Sequence, residues 1–201
     1  MCGRYYVDDA TAREIMRIVH RVNEKFSMEA GELFTSGDIY PSGAAPILLP
    51  AGTALEARRM QWGFPGIRGK GVIFNARSET ALEKRMFKDS LKFRRCIVPA
   101  SAFYEWDKNK DKITFRRPDT PVLFMAGFYR FYPDADKNRT EDGGRFVILT
   151  TGANDSVSPI HERMPILLEE RELEDWVFDD DFVAFVLHRR PGPLIWHKPL
   201  A

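Results

Sequence analysis

The sequence is poor in cysteine, in long apolar runs and in net charge, and each shortage closes off a class of protein. Only Cys2 and Cys96 are present. They make no CxxC spacing, so neither a disulfide framework nor a structural zinc site is expected. No window comes near the roughly 18 apolar residues of a membrane span. The start of the chain, Arg4 followed by Asp8 and Asp9, lacks the apolar core of a signal peptide. A net charge of +1 supplies no global field toward nucleic acid, so any basic site has to be local. Repeats and low-complexity tracts are absent as well. What is there is ordinary: 201 residues, 44% hydrophobic and 12% aromatic, enough for one domain over 1–201 with a real core. The expected compartment is a reducing cytoplasm, where a free thiol survives. No cofactor, no metal and no membrane contact are expected.

Most of the apolar runs read as strands. Gly3 to Val7 is a short strand with Cys2 at its start, and Asp8 or Asp9 can cap a helix reaching about Phe26. Proline and glycine from Gly37 to Pro50 predict loop and short strand there. Leu55 to Trp62 reads as a strand that Gly63, Pro65 and Gly66 interrupt. Ser78 is placed as the cap of a helix carrying Leu82 and Met86, and Lys84 to Arg95 is the densest positive patch. Cys96-Ile97-Val98 reads as core. Strands are expected again at Phe103–Trp106, Ile113–Arg117, Val122–Tyr132, Phe146–Thr151 and Ile166–Leu168. A polar, mobile loop is expected at Pro133–Gly144, and short amphipathic helices at about Glu169–Phe178 and Asp181–Leu187. The fold class that follows is α+β: an antiparallel, curved or barrel-like sheet with helices outside.

Cys2 stands apart because Met1 is expected to be removed from a residue this small. The product carries an α-amine and a thiol on adjacent carbons. One aldehyde carbon can take both, first as an imine and then as a five-membered thiazolidine. The two groups titrate at roughly 8 and 8.5 when unperturbed, so modest tuning activates either. Position alone reads more simply as packing. Asn75, Glu105 and His161 likewise stand at the ends of apolar runs, where a scaffold presents side chains. Each also has a plain reading: a turn residue, the outward member of an alternating strand, a satisfied loop histidine.

Together with their neighbours these residues form a pattern. Met1-Cys2-Gly3-Arg4, Trp62-Gly63-Phe64, Asn75-Ala76-Arg77-Ser78-Glu79-Thr80, Arg85-Met86-Phe87, Phe103-Tyr104-Glu105-Trp106 and Ile160-His161-Glu162-Arg163-Met164-Pro165 follow in order. The chain thereby resembles, over about residues 2 to 168, the SRAP family of abasic-site-processing proteins, once named SOS-response-associated peptidases. The resemblance implies binding of single-stranded DNA, including single-strand/double-strand junctions, and a covalent crosslink to abasic sites through Cys2. It implies lyase-type chemistry, and removal of Met1 that can be autoproteolytic. By motif, Asn75 orients the cysteine and the opened sugar, Glu105 is the acid/base beside the amine, and His161 is the proton donor that opens the sugar. Arg4, Arg77 and Arg163 fall where the family holds phosphates, Trp62 and Trp106 where it has aromatics near the strand, and Pro41 and Met86 where it wedges bases. A monomer associated with the nucleoid when bound to damaged DNA is the expected state.

Two departures stand out. Asp38-Ile39-Tyr40-Pro41-Ser42 carries an acid where a neutral amide is expected beside the DNA path. The chain also ends at Trp196-His197-Lys198-Pro199-Leu200-Ala201, short of a C-terminal segment that many relatives carry, which is expected to be peripheral. Two other functions fit the residues: an N-terminal-cysteine peptidase or amidohydrolase whose own amine is the base, and a non-catalytic single-strand-binding module.

Overall fold

Runs that alternate, or are apolar throughout, become strands, and their order sets the topology. The computed structural model describes residues 2–22, 36–66, 70–132 and 143–198. Among these, β1 (Tyr5–Val7) is followed by helix α1 (Asp9–Val22), β2 (Gly37–Ile39), β3 (Ala44–Ala51), β4 (Ala54–Trp62), β5 (Phe64–Pro65), β6 (Val72–Ile73) and β7 (Asn75–Arg77). Helices α2 (Ser78–Ala81) and α3 (Arg85–Phe93) lead into β8 (Arg95–Ala100), β9 (Ala102–Trp106), β10 (Lys112–Arg116), β11 (Leu123–Phe131) and β12 (Gly144–Gly152). Then come β13 (Arg163–Pro165), β14 (Leu167–Leu168), a 3-10 turn (Glu170–Glu172), helices α4 (Leu173–Phe178) and α5 (Asp180–Leu187), and β15 (Ile195–His197).

Strands β3, β4, β12, β11 and β8 hydrogen-bond in a ring, closed because β12 pairs with β4 on one edge and with β11 on the other. The barrel-like α+β expectation holds, with one addition: β12 runs parallel to β4 and to β7. A second sheet, ordered β15-β10-β9-β1-β2, is antiparallel throughout. Phe64, Phe87 and Phe128 pack edge-on or tilted in the core, at centroid distances of 5.4 to 6.3 Å.

Several expectations shift in detail. Asp8, not Asp9, caps α1, accepting from the Thr11 amide at 2.7 Å, and Ala12, Ile15, Met16 and Ile18 form the buried face. The expected continuation to Phe26, and residues 133–142 of the expected polar loop, lie outside the described residues. Ala44–Ala51 is a full strand despite Pro46 and Pro50. It pairs along its length with β4 but meets β8 only at Leu48↔Ile97, which tolerates residues without an N–H. Ser78 does not cap a helix. It is buried inside α2 while Arg77 takes the extended cap position, and the expected single helix is split before Arg85. Gly63 has φ +113°, and a Cβ there would sit 2.0 Å from a Val72 methyl, so the Trp62-Gly63-Phe64 corner requires glycine.

Arg95 ties the outer helices to β8. Its guanidinium is buried and donates to the carbonyls of Trp176 at 2.6 Å, Lys92 at 2.6 Å and Val177 at 3.1 Å, and it pairs with Asp180 at 2.8 Å. These carbonyls close the ends of α3 and α4, where orphan acceptors need donors. Arg95→Ala strands them and leaves a cavity, so it should cost about 3 kcal/mol. Urea unfolding should show a lowered midpoint with an unchanged slope.

Candidate active site

Neighbouring residues on a strand face opposite sides of the sheet, and β1 and β9 put that alternation to use. Tyr5 pairs with Phe103, and the Tyr104 amide donates to the Arg4 carbonyl at 3.0 Å. Glu105 shares the inward face of Phe103 and is only 2% exposed. The plain reading of Glu105 as an outward residue therefore fails. Arg4 and Trp106 stand on the opposite, outer face.

Four segments meet at the inward end of β1. Cys2 is wholly buried, and its Sγ donates weakly to the Arg4 carbonyl at 3.5 Å. Asn75, the first residue of β7, donates from Nδ2 to the Cys2 carbonyl at 2.8 Å. Its Oδ1 is buried and has no hydrogen-bond partner among the described residues. His161 follows a turn organised by Asn154, whose Oδ1 accepts from the amides of Ser156 at 3.0 Å and Val157 at 3.1 Å. The His161 Nε2 lies 3.9 Å from Glu105 Oε2. The Arg163 amide donates to His161 Nδ1 at 3.0 Å, which puts the neutral ring's proton on Nε2, toward Glu105.

Burial sets the charges. It pushes Glu105 up to about 7, against the pull of the positive amino terminus. The Cys2 thiol is raised by burial and then by the Glu105 carboxylate. Burial lowers His161, keeping the ring neutral near pH 7. The arrangement is thus a protonated thiol and a neutral imidazole beside a carboxyl that titrates near neutrality, which is the pKa of an acid/base group for pH 7. It differs from the readily activated thiol expected from unperturbed values: here the thiol needs a base at the moment of reaction.

The residues expected near a DNA strand divide. The Arg4 guanidinium lies 4.4 Å from the Tyr40 ring and 5.2 Å from the Trp106 ring, and 3.5 Å from Asp38 Oδ2. Arg77 is exposed at the end of β7, and Pro41 and Met86 are half-buried. Arg163 is committed inside the protein. It grips both Glu79 oxygens at 2.6 and 2.9 Å and donates to the Thr150 carbonyl at 2.7 Å. Trp62 has no exposed surface, stacks in the core against Phe146 and donates to the Phe74 carbonyl at 2.9 Å, so it supports Asn75 from beneath. Sequence reasoning missed Tyr40, 48% exposed over Arg4, and the brace formed by Glu79, although Glu79 lies inside the quoted Asn75–Thr80 stretch. No cluster of three metal-ligating side chains occurs among the described residues. No described helix is long and apolar enough to cross a membrane.

A buried Cys2, an amide on its carbonyl and a carboxyl–imidazole pair define a chain built around a cysteine beside its amino terminus. Residues 1–188 match the family described as SOS response associated peptidase (SRAP), and the chain belongs to it. The abasic site processing protein YoqW of Bacillus subtilis is 28% identical over 203 residues, covering 93% of this chain and 86% of the relative. The abasic site processing protein YedK of Escherichia coli is 27% identical, covering 88% and 79%. A crystal structure of a protein from Bacteroides thetaiotaomicron shares the fold, with TM-score 0.78 and 23% identity over 98% of this chain and 91% of that one.

The raised Glu105 carboxyl has a consequence for stability. Its folded value lies above the ordinary 4.5, so the native state binds the proton more tightly. Stability therefore falls as pH rises from about 4.5 to about 7. The full penalty, on the order of 3 kcal/mol, applies above that window. Glu105→Gln removes it: the variant should melt higher than wild type at pH 8, with the gain vanishing below pH 4.5. A gain that does not vary with pH would contradict this assignment.

Proposed function

We propose that this protein processes abasic sites by binding single-stranded DNA and forming a thiazolidine crosslink through Cys2 after Met1 is removed. The observation that carries the reading is the cluster of buried Cys2 and Glu105 with half-buried Asn75 and His161. The family membership and the names of the relatives support it. An abasic sugar is mostly a closed hemiacetal, and opening it moves a proton from the C1 hydroxyl to the ring oxygen. His161 Nε2–H is the donor to that oxygen. The Glu105 carboxylate takes the C1 hydroxyl proton and returns a proton to Nε2, 3.9 Å away. The free Oδ1 of Asn75 accepts a hydrogen bond from a sugar hydroxyl. Glu105 takes a proton from the Cys2 ammonium. The amine adds to the aldehyde, Glu105 returns that proton to the carbinolamine hydroxyl, and water leaves to give an iminium. The thiol then adds to that carbon, its proton passes to Glu105, and the ring closes. Amine, thiol and aldehyde become thiazolidine and water, with one proton released from the original ammonium.

Outside the pocket, Arg4 and Arg77 are the phosphate contacts and Trp106 and Tyr40 offer stacking surfaces, which tolerate any base. Pro41 and Met86 are proposed to lie where the strand bends, at a junction. The protein acts as a monomer in the cytoplasm, at the nucleoid when damage is present. The peptidase reading leaves the exposed Arg77 and the Arg4–Tyr40–Trp106 cluster without a role.

The test is an oligonucleotide with one abasic site, incubated with the protein and run under denaturing conditions. Wild type should give a retarded band, more from single strands than from the middle of a duplex. One alanine inserted between Met1 and Cys2 separates amine from thiol and should abolish the band. It forfeits an effective concentration of roughly 10⁵ M or more. A stable adduct from the inserted protein would rule out the thiazolidine; no adduct from wild type, together with amide cleavage, would favour the hydrolase. Arg77→Ala should weaken non-covalent binding and reduce the salt slope by about 0.7, one phosphate's share on a single strand.

A further inference from the structure

On the outer face of β1, Arg4 is held by more than its two aromatic neighbours. Asp38, on β2 opposite Tyr6, closes off one end of the guanidinium with an Oδ2 at 3.5 Å. The carboxylate is itself fixed in place. The Tyr40 hydroxyl donates to the same Oδ2 at 3.5 Å. The Tyr104 hydroxyl also bonds to Asp38, which together with burial holds that phenol in its protonated form. The backbone gives no slack, because residues 37–39 pair with β1 in register.

Arg4 is nevertheless not fully enclosed, its side chain being 26% exposed. Its Nε is buried and has no hydrogen-bond partner among the described residues. A groove of about 190 Å³, lined by Gly37, Asp38, Tyr40, Gly43, Pro46 and Arg59, opens beside the cluster. A phosphate that reaches the exposed part of Arg4 meets a carboxylate already seated there.

We propose that Asp38 is an intramolecular competitor for the Arg4 phosphate site and so determines how strongly the protein holds undamaged single strands. The proposal rests on the DNA-binding reading of the site. With Asp38 in place, the Arg4 cluster is neutral and a passing phosphodiester gains little. Intact strand is released, while an abasic strand is retained by its covalent bond. Asp38 is a positioning and specificity residue, acting through Arg4 and touching no reacting atom.

Asp38→Asn removes the competitor while keeping the shape. Binding to an undamaged oligothymidylate, measured by anisotropy across a salt series, should tighten about two- to fivefold, the scale of a partly exposed ion pair. The slope of log affinity against log salt should steepen by about 0.7, the share of one added phosphate. Asp38→Glu should restore the wild-type slope. In an Arg4→Gln background, Asp38→Asn should have no effect, because the contested cation is gone. An equal gain in both backgrounds would mean general repulsion and would overturn the proposal, as would an unchanged slope in the single variant. If wild type crosslinks abasic DNA while Asp38→Asn changes nothing, the competitor fails and the proposed function stands. If Asp38→Asn gains affinity only with Arg4 present but no crosslink forms, the reverse holds. Absence of binding by every variant overturns both.

Discussion

The hydrogen bonding of one strand, β12, on both of its edges is the constraint that the site depends on. Its first half closes the ring between β11 and β4. Its second half leaves the ring carrying β7 on one edge and β13 on the other, through Ile148↔Asn75 and Thr151↔Met164. Asn75 and the segment that holds His161 are thus fixed relative to the core by the same backbone. Thr150, on that strand, also accepts from Arg163, and Arg163 clasps Glu79 at the start of α2. The Cys2–Asn75–Glu105–His161 cluster has a rigid back wall because one strand spends both edges on it.

Desolvation then gives the wall its chemistry. The same burial raises Glu105, raises Cys2 and lowers His161, so all three are biased toward their neutral forms. A pocket that disfavours charge is a poor resting place for a thiolate and a good one for a proton relay. The arginines that carry fixed charge are kept away from it: Arg163 is neutralised by Glu79 and Arg4 sits on the far face of the sheet.

Much of this was legible in the residues. The alternation in Phe103–Trp106 and the apolar runs of β4, β11 and β12 mark the strands, and the quoted motifs mark the four groups that meet. The rest was not legible, for physical reasons. Alternation says that Phe103 and Glu105 share a face, not which face is inward; tertiary packing decides that, against the usual preference of glutamate. Trp62 reads as an exposed aromatic until β4 closes the ring over it. The parallel pairing of β12 with β7 has no local signature, and the partner of Arg163 lies 84 residues away. Pro46 and Pro50 hide a strand, since propensity cannot see that an edge is spare.

The bond from Asn75 to the Cys2 carbonyl spans 73 residues of chain, and β1 gains its second neighbour only in β9. The order of synthesis therefore runs against the order of assembly. The amino terminus leaves the ribosome first, yet the pocket that buries it cannot exist until residues beyond 105 have emerged. For more than half of its birth Cys2 is without that pocket, its thiol uncovered. Folding is what quiets it, and a chain stalled before β9 would leave the Cys2 thiol uncovered.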